Sequence, residues 1–139
     1  MSFYTEFAET YESIFPFSGA VYSLLRRYLP EPPARVLDVG CGTGHYAGAL
    51  AGEGYEALGI DLDPAMIAYA QAHYPAAEFR ALDMREIAGL GEPFDLVACV
   101  GNTAAHLTQV QFAQFVDAVN QVRNPGAPWI LQEIGRAHV

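Results

Sequence analysis

Four carboxylates and a run of alternating glycines are the residues best placed to do chemistry. Val36-Leu37-Asp38-Val39 leads into Gly40-Cys41-Gly42-Thr43-Gly44, so an acid sits inside an apolar run that ends in glycines at every second position. Glycine permits positive φ and close approach of a ligand to the backbone. The N–H groups that open the following helix would then face that ligand. Asp61 closes the next apolar run, and Asp83-Met84 closes the one after it. Asp63 stands before Pro64, which suits a helix cap. Two registers fit the glycines. Gly42-Thr43-Gly44-His45-Tyr46-Ala47 loosely matches G-x-G-x-x-G/A, with Asp61 at about the 20-residue distance of a dinucleotide site. Asp38-x-Gly40-x-Gly42-x-Gly44 places the acid first. A third reading is a turn that only packs helix on strand. Asp61 can accept both hydroxyls of a ribose or serve as a turn acid. Cys41 has no base marked beside it, so it does not read as a nucleophile.

Strands and helices must position these groups. Phe3, Phe7, Tyr11 and Ile14 or Phe15 share one face of a helix over 3–15. Pro16 stops it, and Ser18 can cap a second helix to about Tyr28. Pro30-Glu31-Pro32-Pro33 is a stiff connector. Strands are expected over about 34–39, 55–60, 78–82, 94–100 and 128–132. Helices are expected over 44–51, 64–73 and from Thr108 onward, and 84–93 is short enough to hold only a turn or two. The run Phe94 to Val100 is nearly continuous in apolar residues, as in a strand covered on both faces. Alternating strands and helices predict parallel βαβ units with right-handed crossovers.

Composition narrows the function classes. The 139 residues carry a net charge of −9, which disfavours a nucleic-acid partner because binding one needs clustered cations. Hydrophobic residues make up 52%, enough for a globular core. The cysteines, Cys41 and Cys99, lie in apolar strands and suggest a reduced, cytoplasmic protein without a metal site. Nothing at the N-terminus reads as a secretory leader, and no apolar run reaches membrane-spanning length.

The string VLDVGCGTG closely resembles the first motif of class I S-adenosylmethionine-dependent methyltransferases, small-molecule branch, and the resemblance extends over about residues 34–133. It implies a Rossmann-like, doubly wound α/β sheet of strand order 3-2-1-4-5. It implies S-adenosylmethionine as cofactor, a ligand with an ammonium and a sulfonium but no phosphate, next to which Asp38 makes sense. By the same resemblance Asp38, Gly40, Cys41, Gly42, Gly44, Asp61, Leu62, Met66, Asp83, Met84, Val100, Gly101 and Tyr11 would line the cofactor. Asp83 would accept from the adenine amino group, with a capping or turn role as its rival. Tyr11 would close over the site, or else belong to the core.

The stretch Phe94 to Leu107 is also similar to that of glycine and sarcosine N-methyltransferases. This implies that Gly101 and Asn102 line the methyl-transfer site, with His106 nearby. Asn102 can hold a carboxylate, hydroxyl or amine without adding charge, and is otherwise a turn asparagine. His106 can be a general base, or a histidine bonded to backbone. Those relatives carry an arginine ahead of the second helix where this chain has Phe15-Pro16-Phe17-Ser18-Gly19, which disfavours glycine as substrate. No Asn-Pro-Pro-Tyr-like string follows strand four, which disfavours DNA bases. The expected acceptor is a small molecule, such as an amine, with no nucleic-acid or membrane partner. The competing expectations are a non-catalytic module that binds the cofactor and a nicotinamide-dependent oxidoreductase.

Organisation is expected as an N-terminal helical cap over 1–33, a cofactor-binding core over 34–133 and a non-native tail over 134–139. The codons ATC GGA AGA GCA CAC GTC would encode that tail and match a common sequencing adapter. The sheet would then be truncated relative to the seven-stranded family fold. An apolar edge at Trp129, Ile130 and Leu131 would lie open to self-association.

Overall fold

The computed structural model describes residues 3–91, 93–100, 107–133 and 136–138. Strands β1 (Arg35–Val39), β2 (Glu56–Asp61), β3 (Glu78–Ala81), β4 (Leu96–Cys99), β5 (Trp129–Glu133) and β6 (Arg136–His138) form one sheet in the order β3-β2-β1-β4-β5-β6. The first five are parallel, in the expected 3-2-1-4-5 arrangement, and β6 is antiparallel to β5.

Alternation along each strand builds two cores. Val36, Leu96 and Ala98 point to one face, where α2 (Gly19–Tyr28), α3 (His45–Gly52) and α4 (Pro64–His73) supply Leu25, Leu50 and Ile67. Leu37, Val39, Val97 and Cys99 point to the other, against Phe115, Val119 and Val122 of α5 (Gln109–Val122). Period-two alternation with apolar residues on both faces is what a sheet sandwiched between helices requires.

Caps begin the helices where the sequence predicts them. Ser18 Oγ accepts from Val21 N at 3.2 Å, and Asp63 Oδ1 accepts from Ala65 N at 2.9 Å. Thr108 and Gln111 form a reciprocal capping box at the start of α5. Asp95 joins three segments, accepting from Arg35 N at 2.8 Å and from the Asn124 side chain at 2.7 Å. These bonds hold the start of β4 to β1 and to the turn before β5.

The short segment after β3 is a 3-10 helix, Met84–Leu90, capped by Asp83, in keeping with the turn or two expected there. One detail departs from the sequence reading. The outer edge of β5, expected to be open, carries β6, with Leu131 opposite His138 and Glu133 opposite Arg136. This short antiparallel strand pairs with residues 131–133 only, so it covers the edge at Leu131 and leaves Trp129 and Ile130, the other two residues of the expected edge, outside the pairing. No helix among the described residues is long and apolar enough to cross a membrane.

Candidate functional site

The glycine loop lies at the carboxyl end of β1, next to the carboxyl ends of β2 and β4, where parallel sheets bind ligands. Gly40, Gly42 and Gly44 have φ of 70, 55 and 84°, so the loop needs three residues in the left-handed region. Their roles differ. A Cβ on Gly44 would stand 2.7 Å from the Phe79 ring and 2.8 Å from Ala70 Cβ, so this glycine is required by packing. A Cβ on Gly42 would run into the phenol of Tyr11, which lies over the loop. The loop is pinned from β2 by Cys41 N donating to the Ile60 carbonyl at 2.8 Å.

Asp61 pins it a second time. Gly42 N donates to Asp61 Oδ2 at 3.0 Å, and Asp63 N donates to Oδ1 at 2.9 Å. The sequence offers Asp61 as a ribose acceptor or a turn acid. In fact it organises both the glycine loop and the turn into α4. Each oxygen has accepted one N–H, and a carboxylate has about four lone-pair sites, so capacity remains for two hydroxyls.

Asp38 is the most unusual group. It is 4% exposed, and its Oδ2 has no hydrogen-bond partner among the described residues. Burial, and then the charge of Asp61, push its pKa up to about 7 from the ordinary 3.8. Native-state ionisation therefore lags behind that of the unfolded chain. Below 3.8 both states are protonated and the stabilising contribution is complete. As pH rises from 3.8 through about 7, the native state keeps a proton that the unfolded state has lost, and stability falls. Asp38→Asn should flatten that slope and be more stable than the parent at pH 8. Urea unfolding at pH 5 and pH 8 checks this, and an unchanged slope would contradict the assignment.

Two cavities meet at Gly40. One of about 120 Å³ is bordered by Ile60, Asp61, Leu62, Leu82 and Met84. The other, about 360 Å³, is bordered by Tyr11, Ile14, Phe15, Asp38, His45 and Tyr46, among others. Burial and the charges of Asp61 and Asp38 hold the Tyr11 phenol well above its ordinary value. Desolvation lowers the His45 pKa and so favours the neutral ring. Burial drives the Cys41 thiol far up, which removes it as a thiolate nucleophile. A third cavity, of about 320 Å³, lies at the amino ends of the strands beside Arg35, Glu56 and Glu78, away from the glycine loop.

The structure thus places Asp38, Gly40, Cys41, Val100 and Tyr11 on the larger cavity and Gly40, Asp61, Leu62 and Met84 on the smaller one, while Gly42 and Gly44 lie in the loop and border neither. Met66 is buried in α4 and borders neither cavity. Asp83 caps the 3-10 helix through Arg85 N at 2.8 Å, and Arg85 forks onto both its oxygens, lowering its pKa. Its capping role is therefore occupied. Gly101, Asn102 and His106 lie outside the described residues.

Sequence reasoning missed His45, Tyr46, Phe15 and Ile14. The signal for Tyr46 lay in a polar ring on the first turn of α3, where its hydroxyl accepts from Ser18 N at 3.1 Å and fastens α2 to the loop. Ile14 and Phe15 end the apolar stripe of the first helix, and the stripe alone does not say that its end borders a cavity.

A model of the methyltransferase domain matches residues 36–126. A dTDP-4-amino-2,3,4,6-tetradeoxy-D-glucose N,N-dimethyltransferase of Saccharopolyspora spinosa is 37% identical over 93 residues, covering 67% of this chain and 36% of that protein. A dTDP-3-amino-3,6-dideoxy-alpha-D-glucopyranose N,N-dimethyltransferase of Streptomyces fradiae is 34% identical over 110 residues, covering 73% and 42%. The chain thus spans less than half the length of these curated relatives. The S-adenosylmethionine-bound structure of an amino pentose methyltransferase from Micromonospora echinaspora superposes with a TM-score of 0.76 at 31% identity, covering 89% of this chain and 56% of that one. A TehB-like methyltransferase from Corynebacterium glutamicum, at 24% identity and TM-score 0.80, shares the fold. The chain belongs to the S-adenosylmethionine-dependent methyltransferase family.

Proposed function

We propose that this chain binds S-adenosylmethionine across the two cavities and directs methyl transfer to a small-molecule acceptor, an amine in the first instance. The observation that carries the reading is the Oδ2 of buried Asp38, which has no partner among the described residues and borders a cavity that shares Gly40 with the Asp61 cavity. A buried carboxylate oxygen without a donor is costly, and an ammonium group would relieve it. A pyrophosphate would be repelled there, which argues against the nicotinamide alternative. Asp61 would take the ribose hydroxyls, and Leu62 and Met84 would flank the base. Asp83 retains lone-pair capacity for an amino group even with Arg85 in place.

When bound, the cofactor supplies an electrophilic methyl on a sulfonium. The chain's contribution is to hold an acceptor lone pair in line with it and to keep water out. Tyr11 would cover the loop. Asn102 would fix the acceptor, and His106 would take a proton only if the nucleophile arrives protonated. The test is transfer of labelled methyl to a panel of amines, thiols and hydroxyls. Product with an amine is expected. Cofactor binding without product for any acceptor would favour the non-catalytic module. Asn102→Ala is expected to lower turnover while leaving S-adenosylhomocysteine affinity nearly intact. A large loss of that affinity would move Asn102 to the cofactor side.

A further inference from the structure

The mouth of the larger cavity has a chemistry of its own. Ile14 and Phe15, at the end of α1 (Phe3–Ile14), are 65% and 46% exposed, and both border the cavity. Phe15 lies 5.1 Å from Tyr11, centroid to centroid, and His45 stands edge-on to Tyr46 at 4.4 Å. Apolar and aromatic surface therefore continues from the rim toward Asp38.

Among the described residues, the charges that act on this cavity are carboxylates: Asp38 borders it, and Glu12 acts on His45. Helix α1 carries Glu6, Glu9 and Glu12 and no basic residue, and the negative charge of Glu12 reaches His45. Five of the arginines are engaged elsewhere: Arg26 with Glu53, Arg35 with Glu56, Arg80 with Glu78, Arg85 with Asp83, and Arg123 with Asn120 and the Ala127 carbonyl. A phosphate brought to this mouth would meet carboxylates. A protonated amine would meet those carboxylates together with aromatic faces that attract cations.

Resting on the cofactor reading above, we propose that the acceptor is an unphosphorylated amine whose apolar body seats on Ile14 and Phe15, and not a nucleotide-linked sugar. The exposed side chains are then covered when the acceptor binds. The amine nitrogen enters on the anionic, aromatic side of the cavity.

The chain saturated with S-adenosylhomocysteine, titrated calorimetrically with phenethylamine and separately with dTDP, tests this. Phenethylamine is expected to bind, with affinity reduced about fivefold or more by Phe15→Ala, the size expected for loss of part of a buried apolar contact. Phe15→Leu should keep part of the apolar contact and lose less. Phe15 is nearly half exposed and lies outside both cores, so these variants should melt close to the parent. No heat is expected from dTDP. Tighter binding of dTDP than of phenethylamine would overturn the proposal. So would phenethylamine binding that is absent, or unchanged by Phe15→Ala, while S-adenosylhomocysteine still binds. Failure of S-adenosylhomocysteine itself to bind would overturn the cofactor reading, and this inference with it.

Discussion

Gly42→Val should abolish detectable S-adenosylhomocysteine binding and leave the sheet folded. Gly42 has φ of +55°, where a residue with a Cβ is strained by about 1–2 kcal/mol, and a β-branched one by more. The added carbon would also enter the ring of Tyr11. Either Tyr11 leaves the loop or the loop moves away from Asp61, and both outcomes disrupt the proposed cofactor surface. A loss of about 100-fold, or about 2.7 kcal/mol, is a minimum expectation. Gly42→Ala combined with Tyr11→Ala separates the two causes. It removes the collision and keeps the strain, so it should bind better than Gly42→Ala alone. Calorimetry and circular dichroism together read the result. Binding by Gly42→Val at parent affinity would mean that the loop does not form the site.

Asp61→Ala should weaken S-adenosylhomocysteine binding by roughly 1.5–3 kcal/mol, the range for charge-assisted hydrogen bonds. Part of the loss comes from the absent ribose acceptor. The rest comes from the Gly42 and Asp63 N–H groups, which lose the carboxylate that holds the loop and turn in register. Asp61→Asn keeps one acceptor oxygen and should lie between. It should also bring the Asp38 pKa down from about 7, because Asp61's charge contributes to that rise. Parent-like affinity in a folded Asp61→Ala protein would remove Asp61 from the site.

Local chemistry made much of this legible from residues alone. Ser18, Asp63 and Thr108 each cap the helix that the sequence assigns to them. The nearly continuous apolar run Phe94 to Val100 anticipates a strand covered on both faces, and its residues divide between the two cores. What stayed hidden depends on distant segments meeting. The collision between Gly42 and Tyr11 joins residues 31 apart in sequence, a difference of 42 and 11. The second duty of Asp61 appears only when the glycine loop lies beside the end of β2. Strand β6 has three residues and too little pattern to be read as a strand. The buried, unpartnered state of Asp38 likewise requires the packed neighbours to be known.

Titration of the chain with S-adenosylhomocysteine and with NAD, in buffers of different ionisation enthalpy near pH 6, tests the central claim most directly. The account predicts saturable binding of one S-adenosylhomocysteine per chain and none of NAD. The measured heat should depend on the buffer, because an ammonium arriving at Asp38 pulls its pKa down from about 7 and releases a proton, and Asp38→Asn should remove that dependence. Saturation by NAD, or no heat from S-adenosylhomocysteine at millimolar concentration, would contradict it.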